Sequence, residues 1–249
     1  MQEPSRERAE AITAAVGLTE EQDTALAQAK NRLQSARIAV NLNLHERIFG
    51  TSTLDRLLVS KRVFNRFEIE HALREVNPVP ARIRLLAEFK LYGGTTGVQF
   101  ILGGMSNTEH PNYGVVDYLG DPIKSPVLGF YGWYRFYLKR EARERSTFTA
   151  VDSAVVDSDH VFIWDDIDGV LAQRAGGTDR YWFEWINIPA IPMDEYGGVP
   201  YIEAQILGGV FLDRDVEILY YPETDELNRP FFRKLRRLAE ECQFDLTSY

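Results

Sequence analysis

Three segments place residue types that can do chemistry at the ends of strand-like runs. In Tyr201-Ile202-Glu203-Ala204-Gln205-Ile206, strand alternation puts Tyr201, Glu203 and Gln205 on one face and Ile202, Ala204 and Ile206 on the other. A carboxylate and an amide side by side on one strand form a polar device facing a cleft; the plain alternative is a solvent-facing strand. Arg145-Ser146-Thr147-Phe148-Thr149 follows an aromatic-rich run, and His45 closes an alternating segment just ahead of Gly50-Thr51-Ser52. Other chemistries lack their parts. His45, His71, His110 and His160 have no HxxxH or HExxH spacing, and the one cysteine, Cys242, supports neither a disulfide nor a Cys-based zinc site. No glycine-rich phosphate loop occurs. Asp152, Asp157, Asp159, Asp165, Asp166 and Asp168 fit no oxygen-ligand loop and read as a solvated face, so no metal site is expected.

The elements that must position these residues follow from periodicity. Leu26, Ala29, Leu33 and Ala36 recur at helical spacing after Thr19-Glu20-Glu21-Gln22, which has capping-box spacing. From Arg37 the pattern becomes alternating, with Val40, Leu42 and Leu44 opposite Asn41, Asn43 and His45. Ser52-Thr53 caps a short helix carrying Leu54, Leu57 and Leu58, and a second helix is expected over 68–76. From Ala81 the texture is β and turn: 82–92 alternates, and 130–138, 181–188 and 200–207 are rich in aromatic or β-branched residues. A closing helix is expected over 229–244, with Pro230 in its first turn and Phe231, Leu235 and Leu238 on one face. No repeat or linker divides the chain. The expectation is α+β, with residues 1–36 a helical extension and 37–249 a single domain.

Composition excludes some partners. The 28 Lys and Arg stand against 37 Asp and Glu, a net charge of −9, which argues against a broad nucleic-acid surface. The apolar runs fall short of the roughly 20 residues a membrane helix needs. The N-terminus MQEPSRERAEA is charged and has no apolar core, so no secretory signal and a cytoplasmic setting are expected.

The order His, then Ser-Thr, then Glu resembles the three-part signature of the ADP-ribosyltransferase superfamily. His45 to Ser60 is similar to its His-Gly-Thr-Ser opening, with Glu46-Arg47-Ile48-Phe49 intervening. A closer resemblance, over about residues 40–245, is to an uncharacterised bacterial family associated with that superfamily. Its segments are matched by Pro111–Asp117, by Arg145 through Ser153, by Tyr201–Gln205 with Gly208, and by Asp215-Val216-Glu217.

The resemblance implies a pair of small sheets around an NAD cleft and transfer of ADP-ribose from NAD to a macromolecular acceptor, protein or nucleic acid. It also implies a toxin role by family habit, with an antitoxin as a partner. Glu203 is then the catalytic carboxylate, opposing positive charge on the ribose as nicotinamide leaves. His45 holds the NAD ribose or carboxamide, Ser146 and Thr147 brace Glu203, Tyr113 stacks on nicotinamide, and Gln205 contacts the acceptor. The rival readings are an NAD glycohydrolase, a non-catalytic interaction module, and an acid/base hydrolase, for which no second carboxylate stands at defined spacing. The acceptor is not legible in the sequence.

Overall fold

A strand whose alternate residues differ in polarity has to lie between two different environments, and the central strands of this chain do so. The computed structural model describes residues 6–7, 9–11, 14, 20–48, 50–65, 68–69, 88–92, 109–117, 132–150, 153, 160–176 and 201–249. In chain order the elements are α1 (Glu20–Ser35), β1 (Arg37–Leu42), β2 (Arg47–Ile48), β3 (Thr51–Ser52), α2 (Thr53–Ser60), β4 (Arg62–Val63), β5 (Asn112–Asp117), β6 (Tyr134–Leu138), β7 (Ser146–Thr149), β8 (Phe162–Ile163) and α3 (Ile167–Gly176). They continue with β9 (Glu203–Ile206), β10 (Val210–Phe211), α4 (Leu212–Asp215), β11 (Val216–Tyr221), α5 (Arg229–Cys242) and β12 (Asp245–Ser248).

Eight strands form one mixed sheet in the order β12-β11-β6-β1-β5-β9-β7-β8, and β10-β4 and β2-β3 form two short ribbons. Among the described residues, only β11 and β12 pair in parallel within the sheet, and its other pairings are antiparallel. The class is α+β. Ile38, Val40, Val116, Phe136, Leu138, Phe148, Ala204, Ile206 and Leu219 lie in the main core together with Leu33 of α1, Leu54 and Leu57 of α2, Val170 and Leu171 of α3, and Leu235 and Leu238 of α5. These helices therefore cover one face. Each fully buried leucine contributes roughly 1.5–3 kcal/mol. Helix α1 also reaches α3 through Lys30 Nζ, 2.5 Å from Asp168 Oδ2. Among the described residues no helix is long and apolar enough to cross a membrane.

The opposite face carries Asn41, Arg135, Asp117, Tyr137, Tyr113, Glu203, Gln205, Thr147 and Thr149, brought into adjacent rows by the registers Asn41↔Arg135, Val115↔Glu203, Tyr113↔Gln205, Thr147↔Gln205 and Thr149↔Glu203. Small residues let the central strands close up beneath it. A Cβ added to Gly114 would stand 2.8 Å from the carbonyl oxygen of Ala39 and 3.1 Å from Ile38 Cγ2.

Several sequence expectations need correction or extension. Residues 88–92 are helical, not part of an alternating strand, with Leu91 buried and Lys90 exposed; 82–87 lie outside the described residues. β1 ends at Leu42, and His45 sits in the following turn. α5 ends at Cys242, capped by Gln243 in the left-handed conformation, and the chain then adds β12, a strand not expected from its polar sequence Asp-Leu-Thr-Ser. Its pairing with β11, not a buried face, holds it. The expected segment 181–188, and most of 68–76, lie outside the described residues.

Gly114→Ala is expected to lower stability by about 1–3 kcal/mol, because the clash is with backbone of a central strand that cannot retreat. The check is the urea midpoint against Gly50→Ala, where nothing lies within 4 Å and only the positive φ of 74° is strained.

Candidate functional site

The polar face is a problem before it is a site, since buried polar groups have to be paired. Glu203, 4% exposed, takes the amide of Gln205 on Oε1 at 2.9 Å and the backbone N–H of Ser153 at 3.3 Å. Gln205 is wholly buried and fully engaged: its Oε1 accepts from Thr147 Oγ1 at 2.9 Å and its Nε2 also donates to Thr149 Oγ1 at 3.1 Å. Two strands, β9 and β7, together with the Ser153 N–H, thus hold one carboxylate.

A pocket of about 60 Å³ opens beside it, lined by Ala39, Asn41, Tyr113, Gly114, Val115, Tyr201 and Glu203. Ala39 and Val115 are small and buried and form its floor. Because Val115 faces Glu203 across the ladder, Tyr113 stands two residues to one side of that row and Tyr201 two residues to the other. The pocket is therefore flanked by two tyrosines and faced by a carboxylate and an amide.

Two further clusters support its rim. Arg135, completely buried, donates from Nε to Asn41 Oδ1 at 3.1 Å and from Nη1 to Asp117 Oδ2 at 3.1 Å. Tyr137 also donates to Asp117. Burial, and then the Asp117 charge, push the Tyr137 phenol well above its ordinary range. On the other side, Glu88, wholly buried, accepts from the Tyr113 hydroxyl at 2.7 Å and lies 2.6 Å from Nδ1 of His110.

Of the residues expected at one site, the structure brings together Glu203, Gln205, Thr147 and Tyr113. It does not bring His45 and Ser146 there. Ser146 alternates with Thr147, so it falls on the helical face, where its Oγ donates to the Ala142 carbonyl at 2.6 Å. His45 lies on that side too, stacked on Phe231 at 4.1 Å, with Nε2 2.7 Å from the Tyr134 hydroxyl and 3.2 Å from Asp225. The bracing assigned to Ser146 belongs to Thr147, acting through Gln205. Gln205 turns inward, because its three hydrogen bonds leave it no approach to an acceptor.

Asn41, Arg135, Asp117, Glu88 and His110 were not foreseen. The signal for Arg135 and Asp117 is present: a lone cation in the strand Tyr-Arg-Phe-Tyr-Leu and a lone acid ending Tyr-Gly-Val-Val-Asp need each other if both strands are buried. Nothing local marks Glu88 and His110 as partners, 22 residues apart. Cys242 is buried, and burial raises its thiol, which disfavours the nucleophilic thiolate. No cluster of His, Cys, Asp or Glu able to hold a metal ion occurs among the described residues.

A clasp at the end of β9 sets the site's frame. Arg145 donates to the carbonyls of Leu207 and of Gly209, the latter at 2.8 Å, across a turn where Gly208 and Gly209 both have φ of 73°. The same arginine pairs with Asp215 at 2.8 Å, and Arg214 grips both oxygens of that carboxylate at 2.7 and 2.8 Å. Burial alone would raise the Asp215 carboxyl. The hydrogen bonds from Arg214 and the Phe211 N–H, with the charges of Arg145 and Arg214, overrule it and hold the group below its ordinary 3.8. Arg145, the Gly208 turn and Asp215, separated in sequence, are thus one structural unit.

Since the folded pKa is depressed, the stability Asp215 supplies is full above the unfolded value and is lost as pH falls through the folded one. Asp215→Asn is expected to cost about 1–3 kcal/mol at neutral pH, and denaturation curves repeated toward about pH 2 should converge for the two proteins. In comparison with known proteins, the chain matches no protein-family model and no curated protein.

Proposed function

We propose that the chain cleaves the bond between nicotinamide and ribose in NAD at the Glu203 pocket and transfers the ADP-ribosyl group, as the resemblance to ADP-ribosyltransferases implies. The observation that carries this reading is the buried Glu203 carboxylate, held by Gln205 and the Ser153 N–H, facing a small pocket flanked by Tyr113 and Tyr201. A fixed negative charge in a water-poor site opposes the positive charge that develops on the ribose as neutral nicotinamide departs. Tyr113 and Tyr201 suit a planar ring by stacking. At about 60 Å³ the pocket takes one small group, so the rest of a dinucleotide extends outside it. Thr147 and Gln205 act by holding Glu203; His45 and Ser146 have no part in this site.

A second reading, hydrolysis with water as the acceptor, is favoured by one observation. Gln205, which sits beside Glu203 on the strand, is bonded entirely inward and offers no contact to a macromolecule. Free ADP-ribose without labelled protein or nucleic acid would select hydrolysis; label retained on macromolecules would select transfer.

Glu203→Gln is the test. The side chain is nearly isosteric and still accepts from Gln205, so the melting temperature should hold, while loss of the charge should lower NAD turnover by ~10²–10³. Turnover within threefold of the parent would remove Glu203 from the chemistry.

A further inference from the structure

The buried Glu88 carboxylate takes no part in the proposed cleavage, yet it grips a residue that lines the pocket. Its two oxygens are spent separately: Oε1 accepts from the Tyr113 hydroxyl at 2.7 Å and Oε2 faces Nδ1 of His110 at 2.6 Å. The hydrogen bond with His110 Nδ1 thus fixes one oxygen of the carboxylate and leaves the other for tyrosine. Glu88 is wholly buried and His110 nearly so, which keeps water from competing for either bond.

A phenol that donates to a carboxylate is polarised toward phenolate, and its ring face becomes more electron-rich. Such a face attracts a cation more strongly than an ordinary tyrosine does. Glu203 lines the same pocket and adds a second negative group.

We propose that the pocket is selective for a positively charged aromatic ring over its neutral counterpart, and that Glu88 sets this preference as a positioning residue acting through Tyr113. The inference rests on the reading of this pocket as the ligand site and deepens it. The pyridinium of the oxidised dinucleotide is cationic, whereas the nicotinamide released is neutral, so the same device favours substrate over product.

The experiment titrates 1-methylnicotinamide, a cation, and nicotinamide, its neutral analogue, into the full chain by calorimetry. The parent protein is expected to bind the cation about fivefold to tenfold more tightly. Tyr113→Phe keeps the ring and breaks the link to Glu88; it should reduce the ratio by about threefold, with the remainder due to Glu203, and leave nicotinamide within twofold. Glu88→Gln should do the same if its melting temperature is retained. A purely structural role would weaken both ligands together and leave the ratio unchanged. Equal binding of the two ligands by the parent, or an unchanged ratio in Tyr113→Phe, overturns the proposal. NAD cleavage without cation preference defeats this inference alone. Cation preference without NAD cleavage supports it and defeats the proposed reaction. Binding of neither ligand defeats both.

Discussion

A carboxylate buried in the middle of a sheet persists only if its neighbours are donors that cannot leave, and Glu203 is held on those terms. Its principal support, Gln205, lies on the same strand two residues away and is itself fixed by Thr147 and Thr149 on β7. Any slip of β9 by one residue would turn Glu203 into the helical core and Ala204 toward the polar face, so the register of β5, β9 and β7 and the orientation of the carboxylate are one constraint. The apolar core beneath and the polar network above are consequences of the same alternation.

That register is fixed from its end by the clasp of Arg145, Arg214 and Asp215 around the Gly208-Gly209 turn, and from its middle by the close approach of Gly114 to β1. The clasp brings Arg145 together with the Gly208 turn and Asp215, which lie far from it in sequence. Arg145 and Asp215 seat the strand that carries Glu203. On the same polar face, Arg135 and Asp117 form a pair wholly buried from water.

Much of the fold was legible because periodicity is a local signal. The cap at Ser52, the first-turn Pro230 and apolar face of α5, and the alternation of Tyr201–Ile206 are all read from a few adjacent residues. The short strand after α5 was not, because β12 is held by backbone pairing and its side chains carry no pattern. In the site, Glu203 and Gln205 were legible as alternating positions on one candidate strand, and Thr147 only as part of a polar segment at a strand end. His45 and Ser146 were misplaced because a motif order does not say which face of a sheet each residue occupies: one residue of phase separates Ser146 from Thr147, and β1 ends before His45. Glu88 and His110 come together only in three dimensions, from segments with no shared pattern.

The central claim is that the ligand site lies on the polar face, around Glu203, and not on the helical side where His45 sits. A structure of the protein with an NAD analogue whose ribose ring oxygen is replaced by methylene, which binds without being cleaved, tests this most directly. The nicotinamide ring is expected between Tyr113 and Tyr201, with a ribose hydroxyl on the Glu203 carboxylate. A ring seated against His45 and Phe231, with the Glu203 pocket unchanged, would contradict the account.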